Sequence, residues 1–237
     1  ALIKEIVSLL DNPSKDIGIH RSLLTLEDII PAAQRKGWPL FRAKLTGGII
    51  KYGCKLLAAL VSTKGKSKTN REKDYLLHWK LDAETTSTLI RQCNAMRVTV
   101  NTALCVALAA AFRKVKGDQG AVTCPVDIRK YVPAITQDSI FAVGLSITLE
   151  ILDDGTKPFW TRVQLLQPIA TEKQKRLNTS MLQALEYAHA AIPHMIRFLT
   201  YGKLNYNLMF SNMGKLDIEE HWNTFDIDTV FSPAVIG

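Results

Sequence analysis

The stretch from Thr99 to Leu152 limits what this chain can become more than any other. Val100, Ala103, Leu104, Ala107, Leu108, Ala111 and Phe112 recur at helical spacing, which predicts a helix with one broad buried face. Thr99 or Asn101 stands where it can cap that helix, and Arg113 to Gly120 ends it. The residues from Ala121 to Ile128 are mostly β-branched or apolar, as in a largely buried strand that closes on Asp127 and Arg129, and Pro133 breaks the chain beyond. Gly144 to Leu152 supplies a partner strand. A helix laid against adjoining strands is one half of a two-layer α/β sandwich, so the expected class is mixed α/β (α+β), with helices covering one mixed sheet.

The flanking segments extend this pattern. Leu2 to Leu10 read as a helix ended by Asp-Asn-Pro, already helical at the first residue without a cap, so the chain is expected to be cut from something longer. Residues 14 to 41 read as an extended connection with a helical piece from Leu26 to Gln34, broken by Gly37, Trp38 and Pro39. Lys44 to Val61 reads as an amphipathic helix, with Leu45, Ile49, Leu56 and Leu60 on an apolar face and Lys44, Lys51 and Lys55 on another. Thr63 to Asp74 is polar and lysine-rich, the best linker, and Tyr75 to Leu81 alternates as a strand. Asp82 then caps a helix to about Met96. Lys157 to Leu177 is helical across Pro168, Ser180 to Tyr201 is helical across Pro193, and strands are expected near 205–211 and 224–231.

At 47% hydrophobic residues the chain can bury a real core. No apolar run reaches membrane-spanning length, and no secretory signal opens the chain. Cys54, Cys93, Cys105 and Cys124 lie far apart; two of them sit inside apolar patterns, which favours buried free thiols in a reducing, cytoplasmic compartment over disulfides or zinc. The net charge of +8 is concentrated: twelve basic residues between Arg35 and Lys80 face only Glu72 and Asp74.

Three segments in order, Thr99 to Leu108, Pro125 to Pro133 and Ile140 to Gly144, resemble the second half of the chloramphenicol-acetyltransferase-like superfamily, which includes peptide-synthetase condensation domains. A fourth, Phe-Ser-Asn-Met-Gly at 210–214, resembles the S-N-x-G of its alcohol O-acyltransferase branch, and the likeness covers roughly residues 75 to 215. The resemblance implies a lobe of a chloramphenicol-acetyltransferase-like sandwich over residues 75–237, preceded over residues 1–74 by the end of an N-terminal lobe and a basic crossover segment. It also implies acyl transfer from a coenzyme A or phosphopantetheine thioester, the latter on an acidic carrier protein, to a small alcohol acceptor. An amine acceptor, as in a condensation domain, is the alternative.

Such chemistry needs a base for the nucleophile's proton and a donor for the developing oxyanion. In the resembled family the base is a histidine of H-H-x-x-x-D-G, a motif this sequence lacks; it is expected upstream of residue 1, and no catalytic residue is assigned here. His78 to Asp82 imitates part of the spacing, but Asp82 serves better as a helix cap and Ala83 replaces the glycine. His20, His189, His194 and His221 have no metal-ligand company at helical or strand spacing, and no phosphate loop or G-x-S-x-G elbow is present. Neither a metal nor a redox cofactor is expected. Asp127 and Arg129 share a face if their segment is a strand, and read as a salt bridge bracing the sheet near the site. Ser211, Asn212 and Gly214 follow an apolar strand and read either as an ordinary turn or, through the resemblance, as substrate-binding groups.

A different class of function, a basic binding module, competes with the enzyme. Nucleic acid is disfavoured, since the aromatics of residues 35–80 are scattered among the basic groups. Peripheral contact of residues 44–61 with an anionic membrane is the stronger form of that rival, and a non-catalytic scaffold is a third.

Overall fold

A computed structural model describes residues 2–18, 25–61, 79–116, 121–136, 145–151, 156–201, 208–212, 214 and 218–228. These form a helix-rich mixed α/β fold around one small mixed sheet.

The central unit is helix, strand, strand, as the sequence predicts. Helix α5 (Val100–Lys116) is entered through Thr99, whose Oγ1 accepts from the Thr102 amide at 3.2 Å. Strand β1 (Ala121–Pro125) pairs antiparallel with β2 (Ser146–Glu150), with Cys124 opposite Ile147 and Val122 opposite Leu149. Those four side chains are buried and share one face, while Thr123 and Thr148 share the other with their hydroxyls 3.3 Å apart. Helix α6 (Phe159–Lys175) packs on β2 and on α5. A short β3 (Leu208–Met209) lies parallel to β1 on its other side, giving the order β2-β1-β3.

The buried side of α5 is turned from the expected one. Thr102, Ala103, Cys105, Val106 and Ala109 face the core, Leu104 and Leu108 are half-buried and Ala111 is exposed. Small side chains let the helix axis come close to the strands, and the longer leucines fill the flanks of the contact. Cys105 on α5 and Cys124 on β1 meet there with sulfurs 3.3 Å apart, and all four cysteines are free thiols.

The same exchange of roles governs α3. After α1 (Leu2–Asp11), α2 (Leu26–Ile29) and a 3₁₀ turn (Ala32–Arg35), helix α3 runs from Gly37 to Leu60. Gly37, Trp38 and Pro39 therefore begin a helix instead of breaking one. Gly37 takes a left-handed φ of +60°, and a proline in the first turn forfeits no intrahelical hydrogen bond. The expected helix 26–34 is divided at Ile30 and Pro31. On α3 the residues that pack on α7 (Thr179–Ala188) and α8 (Ile192–Tyr201) are the small ones, with Ala43, Gly47 and Ala58 buried. Leu45, Ile49, Leu56 and Leu60, the apolar face read from the sequence, are exposed.

Helix α4 (Ala83–Ala95) has the predicted cap, Asp82 Oδ1 accepting from the Thr85 amide at 2.6 Å. Helices α7 and α8 are separated by a 3₁₀ turn at His189–Ala191, just before Pro193. Trp79 to Leu81 is not strand, and neither is Thr224 to Asp228, where an isolated bridge, His221↔Asp226, closes a turn. That turn is tied to α1: Asp11 accepts from the Thr224 amide at 2.9 Å, from its hydroxyl at 3.0 Å and from Asn223 at 2.8 Å. The linker at 63–74, most of the strand at 75–81, the 140–144 motif, 205–207 and 229–231 lie outside the described residues.

Candidate functional site

Because β1 and β3 run parallel and adjacent, the segments that follow them leave the sheet at the same end. In open sheets the crevice beyond the carboxyl ends of parallel strands is where ligands gather. Here that end receives Val126 to Tyr131 after β1 and Phe210 to Asn212 with Gly214 after β3, so all five residues singled out from sequence, Asp127, Arg129, Ser211, Asn212 and Gly214, belong to it. Leu145, which leads into β2, joins them by accepting from the Val126 amide at 3.0 Å.

Asp127 and Arg129 pair, but not as neighbours on a strand face. The strand stops at Pro125, and Arg129 opens a 3₁₀ turn (Arg129–Tyr131), because proline at 125 removes a ladder donor. The Arg129 amide donates to Asp127 Oδ1 at 3.0 Å and its Nη1 lies 3.2 Å from Oδ2, so the carboxylate folds the loop back on itself. Both side chains are substantially exposed, and an ion pair of that kind contributes at most about 1 kcal/mol. Arg129 Nε, by contrast, is buried with no hydrogen-bond partner among the described residues. The turn is anchored below by buried Ile128 and at its far end by Tyr131 Oη, which donates to Gln174 Oε1 of α6 at 3.3 Å, with Lys130 Nζ on the same oxygen at 3.2 Å. Sequence reading missed Tyr131 and Gln174, since the contact joins residues 43 apart and neither type is distinctive.

The second loop is held to the first strand by the Phe210 amide, which donates to the Thr123 carbonyl at 2.9 Å. Ser211 and Asn212 are exposed. Asn212 Oδ1 accepts from the Gly214 amide at 2.9 Å, and Gly214 has φ +69°, so Asn212 and Gly214 build an Asx turn of the ordinary kind. The Ser211 hydroxyl makes no hydrogen bond among the described residues. A hydroxyl donor and a guanidinium at one sheet end can together stabilise a developing negative charge.

Among the described residues, two concavities lie elsewhere. One, of about 490 Å³, runs between the starts of α3 and α7 and includes Gln34, Trp38, Arg42, Arg176 and Asn178. The other, of about 190 Å³, lies beside the end of β2 with Glu150, Lys157, Arg162 and Leu166 in its walls. Neither contains a histidine or any of the five residues above.

Among the described histidines, His189 is exposed and His194 half-buried, whereas His221 has acquired a partner no spacing rule announced. Its Nδ1 is 3.0 Å from Asp226 Oδ1, and that hydrogen bond raises the imidazole above its ordinary pKa. The pair is open to solvent and outside both of these concavities. His78 and His20 lie outside the described residues. No group of three or more His, Cys, Asp or Glu among the described residues could hold a metal ion.

Comparison with family models, curated proteins and solved structures gives no match for this chain.

Proposed function

We propose that this chain is the C-terminal part of an acyltransferase of the chloramphenicol-acetyltransferase-like kind, moving an acyl group from a coenzyme A or carrier-protein thioester to an alcohol. The observation that supports the reading is the parallel β1–β3 pairing. Through it, two segments far apart in sequence that resemble family motifs, 125–133 and 210–214, leave the sheet at one end. The Ser211 hydroxyl is the donor for the tetrahedral oxyanion in this reading. Arg129, steadied by Asp127, supplies positive potential at the same end of the sheet, and the Asn212–Gly214 turn follows Ser211. The proton acceptor is a histidine outside these 237 residues, and the donor thioester is a co-substrate, with no bound cofactor.

Thioester turnover by the intact protein with a panel of small alcohols and amines tests this. Ser211→Ala is expected to lower kcat by about ten- to a thousandfold with little change in KM, as loss of one oxyanion donor does. Arg129→Ala should lower kcat/KM with a smaller effect. Undiminished turnover in Ser211→Ala, or no turnover by the intact protein with any acceptor, overturns the assignment.

A further inference from the structure

Helix α3 presents an apolar stripe to solvent along its whole length. Phe41, Leu45, Ile49, Tyr52, Leu56 and Leu60 follow one another at intervals of four, four, three, four and four residues, which keeps them on one side of a straight helix. Each is exposed by half or more, Leu60 to 74%. Trp38 extends the stripe at its start, 67% exposed, with its ring stacked on Phe41 at 5.4 Å between centroids. The stripe is not misplaced core, because α3 already packs through its opposite, small-residue face onto α7 and α8. An apolar strip of this length on a surface marks an interaction site.

Charge identifies what covers it. Helix α3 contains no Asp or Glu; its charged groups are Arg42, Lys44, Lys51 and Lys55. At 100° per residue the three lysines border one edge of the stripe and Arg42 the other. A second copy of the chain laid on this face would set like charges against each other. Negatively charged headgroups complement both edges at once, while the lysine stems follow the apolar surface and their ammonium groups stay at the polar level. Lys51 Nζ already sits 5.7 Å above the Tyr52 ring, at the border between the two zones. No single described helix is long and apolar enough to cross a membrane, so α3 lies along the surface, where its 24 residues cover about 36 Å.

We infer that the outward face of α3 docks this protein onto an anionic lipid surface. The docking is independent of any acyltransferase activity and is measured without substrate.

The intact protein is floated with vesicles of equimolar phosphatidylserine and phosphatidylcholine, and with vesicles of phosphatidylcholine alone, at low and high salt. Binding is expected to the anionic vesicles, to weaken at high salt, and to be slight on the neutral ones. Replacing Lys44, Lys51 and Lys55 together by Gln should weaken partitioning by about a hundredfold. Leu45→Ser with Ile49→Ser and Leu56→Ser should reduce it to background with the far-ultraviolet circular dichroism unchanged. Equal binding to both vesicle types, or none to either, overturns the inference, and both results stand on the unaltered protein. Concentration-dependent self-association that the serine substitutions abolish overturns it as well, in favour of a face covered by a second copy.

Discussion

Gly47 of α3 lies against Ala184 of α7 so closely that a Cβ added to the glycine would fall 2.5 Å from the Ala184 carbonyl oxygen and 2.6 Å from the Tyr187 Cβ. The first of these is backbone, which cannot swing aside as the end of a side chain can. The residue that looks from sequence like a weakness in the helix is what permits the contact.

Gly47→Ala is therefore expected to destabilise the protein by about 1–3 kcal/mol, as overpacking of a tight contact does. At Gly48 and Gly53 nothing lies within 4 Å of an added Cβ, so alanine there gains helix propensity, about 1 kcal/mol each. Urea midpoints of the three variants check the opposite signs; equal effects at Gly47 and Gly48 would show that α3 does not approach α7 at Gly47.

Asp82 responds to acid through its cap. Hydrogen bonds from Thr85, chiefly from its backbone amide, lower the carboxyl below its ordinary value. A carboxyl held lower in the folded state stabilises above the unfolded pKa of about 4, and this contribution is lost as pH falls through the folded value. Asp82→Asn keeps an accepting oxygen that does not titrate. Its urea midpoint should fall less steeply than that of the parent below about pH 4, and parallel curves would refute the cap's role.

His221 should titrate above its ordinary value of about 6.5, since the Asp226 carboxylate favours the imidazolium. With a folded pKa that is raised, the stabilisation is complete below the unfolded value and disappears as pH rises through the folded one. Following the ring resonances by NMR gives the pKa directly. Asp226→Asn is expected to return it toward the ordinary value, and a titration unchanged in that variant would mean the two residues do not meet in solution.

Thiol reactivity separates the four cysteines. Cys54 on α3 is half-buried, whereas Cys93, Cys105 and Cys124 are buried, and the Cys105 thiol is pushed well up by its hydrogen bond with Cys124 and by burial. One thiol should react readily with an aromatic disulfide reagent in the native protein and the other three only on unfolding, because burial closes them to the reagent. Rapid reaction of two or more thiols in a folded Cys54→Ser variant would contradict the placement of Cys105 and Cys124 in the core.

Local chemistry by itself determined much of this architecture. Asp82 and Thr99 start their helices because each can accept a hydrogen bond from an amide in the following first turn, and the Ala121–Cys124 run is strand because β-branched side chains suit a buried pleat. Such devices act over a few residues and can be read from them. The candidate site was legible in part: Asp127 with Arg129 and Asn212 with Gly214 are contacts two residues apart, so their pairing is local even though the strand expected under the first was wrong.

Tertiary structure alone decided which side of each helix went inside. An apolar stripe states that a helix is amphipathic, but on α3 and α5 the close approach of another backbone selected Gly47, Ala43, Cys105 and Ala109, and on α3 it left Leu45 and Ile49 outside. The periodicity of bulk and the periodicity of smallness are both present in one helix, and only the partner's distance chooses between them. The common exit of the segments after β1 and β3, the Asp11–Thr224 tie and the His221–Asp226 pair depend likewise on how the elements are assembled.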